Sequence, residues 1–209
     1  MIIPKLGLSN KFKIPILKVG SLKVYPWQVR RAFQVIFKSS RQGSLFKTRL
    51  YGYRLDLTAP YFEMAVRERE IWEKLYAPSS IKDKVVLDVG AGCGESAAFY
   101  FSKGAKKIFA VEPDCVAFKL LEQNSHSNNW NIECINQPFS PSMLDLGIDF
   151  AKIDCEGGES ALVDYQKNLP SCIIESHSEA TTKLLKERFH FSGEYKPLSD
   201  EAVSVLTKA

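Results

Sequence analysis

The stretch Asp88-Val89-Gly90-Ala91-Gly92-Cys93-Gly94 closes a short apolar run and sets three glycines at alternate positions. Glycine lets a backbone turn tightly and approach a ligand without a Cβ in the way. A helix that starts just after such a loop points free N–H groups back toward that ligand. Twenty residues beyond Gly92, Glu112 and Pro113 end a second apolar run. A carboxylate there can accept both hydroxyl hydrogens of a ribose. Loop and carboxylate together predict a site for an adenosine-containing cofactor.

The loop also bears on which cofactor. A dinucleotide fingerprint, G-x-G-x-x-G, would put glycine or alanine at position 95, where this chain has Glu95. An anionic pyrophosphate beside that carboxylate is repelled, whereas S-adenosylmethionine has no phosphate and carries a cationic sulfonium and amine. Asp88 suits that amine, directly or through water. The expected cofactor is therefore S-adenosylmethionine, with an NAD-dependent oxidoreductase as the outsider.

Further chemistry lies after the fourth and fifth apolar runs. Asp154 and Glu156 follow the fourth, and His177 follows the fifth. A carboxylate can take a proton from an acceptor hydroxyl or fix its position, and an imidazole with an ordinary pKa of about 6.5 can share that work. The bland alternatives are a turn cap at Asp154, amide binding at Glu156 and an exposed helix-start His177. Asp154, Glu156 and Glu159 could hold a cation, but no His or Cys completes a set, so no metal is expected. Asn136-Gln137-Pro138-Phe139 follows the third run and is expected to lie near an adenine ring, with Gln137 or Phe139 in contact.

These residues need a scaffold, and the order of segments supplies one. Strands are expected at Val85–Val89, Ile108–Glu112, Ile132–Ile135, Asp149–Asp154 and Ser171–Ser176. Helices are expected at Glu95–Lys103, from Asp114 to about Asn124, at Ser160–Lys167 and at Ala180–Phe189. In the second of these, Val116, Ala117, Leu120 and Leu121 form the apolar face. An antiparallel pair near Phe191–Lys196 and Ala202–Thr207 closes the order. Alternating strands and helices predict an α/β fold with a doubly wound, mostly parallel seven-stranded sheet. Residues 81–209 form this domain. Residues 1–80 read as an α+β extension serving as lid or substrate region, with a helix over Pro26–Ser39, a hairpin of Leu45–Leu50 with Tyr53–Leu57, and an amphipathic helix over Pro60–Tyr76.

At this level the chain resembles the FkbM family of S-adenosylmethionine-dependent methyltransferases, in its microbial branch. The resemblance lies in VVLDVGAGCGESAAFYFSKGAKKIFAVEPD, IDFAKIDCEGGE and CIIESH, within roughly residues 50–190. It implies a class I methyltransferase fold in which Gly90, Ala91, Gly92 and Gly94, with Cys93 between them, wrap the methionine part of the cofactor. It also implies that Glu112 holds the ribose and that transfer goes to oxygen on a small-molecule or glycan acceptor. Many members read GANxG at this loop, so the contact made by that Asn is absent here.

Charge adds a second theme. Residues 1–50 hold eleven Lys or Arg and no Asp or Glu, while residues 81–209 hold thirteen cations and nineteen carboxylates. A basic arm of this kind grips RNA phosphates, touches another anion, or is a solvated face. RNA methylation through this arm is the alternative function, and a non-catalytic cofactor-binding protein is a third. With 45% hydrophobic residues the chain can bury a core, which excludes wholesale disorder. No apolar run is long enough to span a bilayer and no signal peptide is evident, so a cytoplasmic location is expected. The five cysteines lack metal-binding spacing and are expected to be buried free thiols.

Overall fold

The computed structural model describes residues 5–8, 15–19, 22–24, 35, 38–76, 80–195 and 203–208. Strands β1 (Lys5–Leu8), β2 (Pro15–Val19) and β3 (Leu22–Val24) form an antiparallel sheet of their own. Of the helix expected over Pro26–Ser39, only Val35, Lys38 and Ser39 are described: Val35 is helical, but Lys38 already lies in a turn and Ser39 leads into the next strand. A second three-stranded sheet follows, from β4 (Ser40–Gln42), β5 (Leu45–Leu50) and β6 (Tyr53–Leu57), and leads into α1 (Ala59–Leu75).

The main sheet has seven strands, β7 (Val85–Val89), β8 (Lys107–Val111), β9 (Ile132–Ile135), β10 (Phe150–Ile153), β11 (Cys172–Ser176), β12 (Gly193–Tyr195) and β13 (Ser204–Lys208). Their spatial order is β12-β13-β11-β10-β7-β8-β9. The five from β9 to β11 run parallel, and β13 lies antiparallel to both β11 and β12. The chain starts at β7 and winds outward in both directions, so the order reverses between β7 and β10. Ligands of doubly wound sheets bind at that crevice, beyond the carboxyl ends of the strands.

Strand periodicity divides the core into two layers. Val86, Ile108, Phe150, Ile173 and Val205 face α1, α2 (Glu95–Ser102) and α3 (Cys115–Ser127). Leu87, Val89, Phe109, Ile153 and Leu206 face Leu162 and α4 (Glu179–Arg188). Two helices carry side-chain caps. Asp114 accepts from the amides of Val116 and Ala117, and Ser178 accepts from that of Thr181.

Two expectations fail locally. Val116 is 60% exposed, because Ala117, Leu120, Leu121 and Asn124 define the buried stripe of α3 and Val116 lies a step around the helix. The helix expected at Ser160–Lys167 is instead a 3-10 segment over Gly158–Asp164, entered through a left-handed Gly157. Its seven residues leave room for only about two tight turns.

Residues 38–76 share the first core layer with the sheet. Phe46 stacks on Phe62 with centroids 4.4 Å apart, and Tyr51 and Tyr53 meet Phe99 and Trp130 edge-on. Asn124 on α3 and Asn128 at its C-terminal cap, one turn apart, add a polar latch. Asn124 accepts from the Asp56 amide at 2.9 Å and donates to the Asp56 carbonyl at 3.0 Å. Asn128 treats Arg54 the same way, at 3.1 and 2.7 Å. The outer edge of β6 is thereby paired with side chains, which satisfies backbone groups that an edge strand leaves open.

Candidate active site

All five amides of the glycine loop are already engaged. Gly90 and Ala91 donate to the Val111 carbonyl at 2.9 and 3.1 Å, and Gly94 donates to Ala91 at 2.9 Å. Gly92 donates to Glu112 Oε2 at 2.8 Å, and Cys93 to Glu95 Oε2 at 3.0 Å. A phosphate cradle needs free N–H groups, so this loop cannot serve as one without breaking those bonds. The glycines are required by geometry at two places. Gly90 has φ +70°, and a Cβ there would collide with the Asp154 carbonyl oxygen. Gly92 has φ +55°, and its Cβ would come 2.7 Å from the Tyr61 ring.

Glu112 closes the loop from β8. Its two oxygens accept from the amides of Gly92 and Asp114, both at 2.8 Å, and each retains a lone pair. Burial raises its pKa, against the lowering effect of those amides. Glu95 is 1% exposed, and burial lifts it to about 8. Burial therefore favours its neutral form, and the occupied loop amides disfavour a pyrophosphate independently of its charge.

Asp88, expected to suit the cofactor amine, is fully buried at its place on β7. Its Oδ2 accepts from the Ser96 hydroxyl at 2.6 Å, and Oδ1 stands 3.4 Å from Lys152 Nζ without a hydrogen bond. Lys152, on β10, is 2% exposed. Its ammonium donates to the carbonyls of Val89 and Gly90 at 3.0 and 2.9 Å and lies 3.4 Å from Asp154. Burial alone would lower its pKa, but Asp154 and Asp88 outweigh that and raise it, so the lysine stays charged. One cation thus ties the loop, the strand below it and the first carboxylate of the mouth.

Asp154, Glu156 and His177 do converge. His177 Nε2 lies 3.6 Å from Asp154 and 3.8 Å from Glu156, and Nδ1 lies 3.5 Å from Glu159, an ion-pair approach with no hydrogen bond to that nitrogen. Glu159 is buried and accepts from the amides of Gly157 and His177 at 2.8 Å, which fixes the turn after β10 against the end of β11. Burial opposes the charge on His177, but Glu159, Asp154 and Glu156 together raise its pKa to about 9. The imidazole is therefore protonated at neutral pH. Glu156 has φ +51° and a side chain 88% exposed, so it reaches over the mouth from a left-handed turn.

The remaining expected contacts divide. Asn136 donates to the carbonyls of Glu112 and Pro113 at 2.8 and 3.3 Å, which sets its loop beside the ribose carboxylate. Pro113 and Gln137 are exposed there, while Phe139 packs into the second core layer. Sequence reasoning missed Lys152, Glu175 and Tyr61. Asp154, Glu175 and His177 bring ligand atoms within 4.8 Å of one another, a set that completes with a histidine after all. Lys152 and the imidazolium already supply positive charge to it, and the Tyr76 hydroxyl donates to Glu175. Tyr61, from α1, lies on the Gly92 face of the loop, its pKa raised by burial and then by Glu112 and Glu95. Its only sequence signal is an aromatic one step off the apolar stripe that Phe62 begins. All five cysteines are free, but only Cys93 and Cys172 are buried as expected; Cys134 and Cys155 are half-buried, and Cys115 is exposed on the first turn of α3.

No protein-family model matches the chain. It is 30% identical over 107 residues to uncharacterized protein 158B of Sulfolobus islandicus rod-shaped virus 1, covering 46% of this chain and 61% of that one. It is 28% identical over 131 residues to ribosomal protein L11 methyltransferase of Caldicellulosiruptor saccharolyticus, covering 59% and 43%. Among solved structures, M. jannaschii TYW2 in complex with AdoMet superposes with a TM-score of 0.56 at 15% identity, over 80% of this chain and 87% of that one. A complex of aTrm5 with tRNALeu gives 0.54 at 16%, over 97% and 58%. The fold is that of class I methyltransferases. The chain spans less than two thirds of the length of most curated relatives it matches. Among the described residues no helix is long and apolar enough to cross a membrane.

Proposed function

We propose that the protein is an S-adenosylmethionine-dependent methyltransferase that acts on a hydroxyl oxygen. One observation carries the cofactor: a glycine loop with every amide engaged, walled by Glu112 and Asp154, which suits a phosphate-free, cationic nucleoside. Glu112 would hold the ribose, and the backbone of Gly90–Gly94 the methionine part, with Tyr61 against it. When bound, the cofactor supplies a methyl carbon that is already electrophilic. The protein then needs to align the acceptor and accept one proton. Asp154 is the carboxylate placed to accept it, held between Lys152 and the His177 imidazolium. Glu156 would engage neighbouring hydroxyls from the rim. The IDCEGGE segment that builds this corner supports kinship with the FkbM family, and with it transfer to oxygen.

A small-molecule or glycan acceptor fits the carboxylate-rich mouth. RNA is the second reading, favoured by a separate basic face on the β4–β6 sheet and in keeping with the tRNA-bound neighbour. Incubation of the protein with methyl-labelled cofactor and fractionated cell extract tests the reading. Label is expected in one acceptor class, in a bond that resists the mild acid and base that cleave methyl esters. Transfer to no fraction, with cofactor binding intact, would leave the binding-protein alternative in its place.

A further inference from the structure

A groove of about 670 Å³ runs between the β4–β6 sheet and α3. Lys38, Lys47, Arg49 and Arg54 line it, and Asp56 is the sole carboxylate among its described lining residues. Gln123 and Ser127 form the neutral α3 wall. Lys47 lies 3.9 Å from Asp56, at the limit of an ion pair. Among the described residues, neither Arg49 nor Arg54 has a carboxylate partner.

The register makes this more than a solvated surface. Arg49 on β5 stands directly opposite Arg54 on β6, and both are exposed. Like charges facing each other across an antiparallel pair destabilise the sheet. Lys47 is two residues from Arg49 on the same face, so three cations project side by side. Such an arrangement costs stability unless an external anion with repeated charges neutralises it. The groove floor is rigid as well: Asn124 holds both backbone groups of Asp56 and donates to the Cys93 carbonyl of the glycine loop at 2.8 Å. One side chain therefore joins the basic wall to the cofactor loop.

We propose that this groove binds the phosphodiester backbone of a nucleic acid strand; this rests on the groove alone and stands apart from the methyltransferase reading. Spaced arginines suit successive phosphates, each with a forked donor set, and the neutral amide and hydroxyl wall adds donors without sequence preference. A free mononucleotide would meet only part of the row.

The test is fluorescence anisotropy of the full chain with a labelled RNA of about 20 nucleotides and the DNA of the same sequence, across a salt titration. Wild type is expected to bind both, with affinity falling steeply as salt rises. Arg49→Gln/Arg54→Gln should weaken binding roughly tenfold or more and flatten the logarithmic salt slope by about 1.4, since two phosphate contacts on a single strand are lost. Lys106→Ala/Lys183→Ala, on exposed positions elsewhere, should change neither beyond a general charge effect. Because the double glutamine change relieves like-charge repulsion, its melting temperature should be unchanged or higher, and S-adenosylhomocysteine should still shift it. A groove variant with the same affinity and slope as the Lys106/Lys183 control overturns the proposal. So does tighter binding of polyglutamate or of anionic phosphatidylserine vesicles than of either nucleic acid. Loss of the cofactor shift in wild type would instead overturn the methyltransferase reading and leave the groove result standing.

Discussion

Lys152→Met should lower the melting temperature by roughly 10 °C and abolish the stabilisation given by S-adenosylhomocysteine. Breaking a buried charge pair from one side costs about 3–5 kcal/mol, because the partner charge is left in a dry site. In a domain of this size each kcal/mol moves the midpoint by about 2–4 °C. Here the loss is compounded, since the same ammonium holds the carbonyls of Val89 and Gly90 as well as the carboxylates of Asp88 and Asp154. Asp88→Asn added to Lys152→Met should recover part of the melting temperature, as the orphaned charge is then gone. Scanning fluorimetry of the two variants checks this. An unaltered midpoint in Lys152→Met would mean that the loop does not depend on this cation.

Asp154→Asn should reduce the methyl transfer rate by about a hundredfold or more while leaving cofactor affinity near wild type, the range expected for a positioned general base. The amide keeps the shape of the mouth but cannot accept the proton. The neighbouring histidine gives stability a pH signature. His177 is raised from 6.5 to about 9 in the folded protein. Its stabilising contribution is therefore fully present below about pH 6.5 and is lost as pH rises through about 9. The melting temperature should fall on the alkaline side near that value, and His177→Gln should remove that dependence. Single-turnover rates check the Asp154 variant, and melting temperatures across pH check the histidine. A wild-type rate in Asp154→Asn would reduce the residue to a structural part of the turn.

The features legible in the sequence are those written in neighbouring residues. The glycine loop at the end of the first strand, Glu112 at the end of the second and the alternation of strands and helices that gives a mostly parallel sheet all depend on local spacing, and all appear where expected. Lys152 was not legible, because its partners Val89 and Asp88 lie more than sixty positions away and become neighbours only through the β7–β10 register. Glu175 escaped for the same reason, as Tyr76 meets it across the fold. Asn124 and Asn128 read as ordinary polar positions on α3 until β6 is laid beside them. Glu95 illustrates a different gap. Its identity was plain, but its charge state follows from burial that only packing supplies. The two local misreadings, Val116 and the Ser160–Lys167 helix, come from apolar patterning in segments too short for periodicity to decide.

The central claim is that the glycine loop of this sheet receives a phosphate-free, cationic adenosine compound and no dinucleotide. Isothermal titration calorimetry of the full chain with S-adenosylmethionine, and separately with NAD, tests it most directly. Saturable one-to-one binding of the first, no heat from the second, and loss of binding in Glu112→Lys with the fold intact are the expected results. Binding of NAD as tight as that of S-adenosylmethionine, or no binding of S-adenosylmethionine at all, would contradict the account.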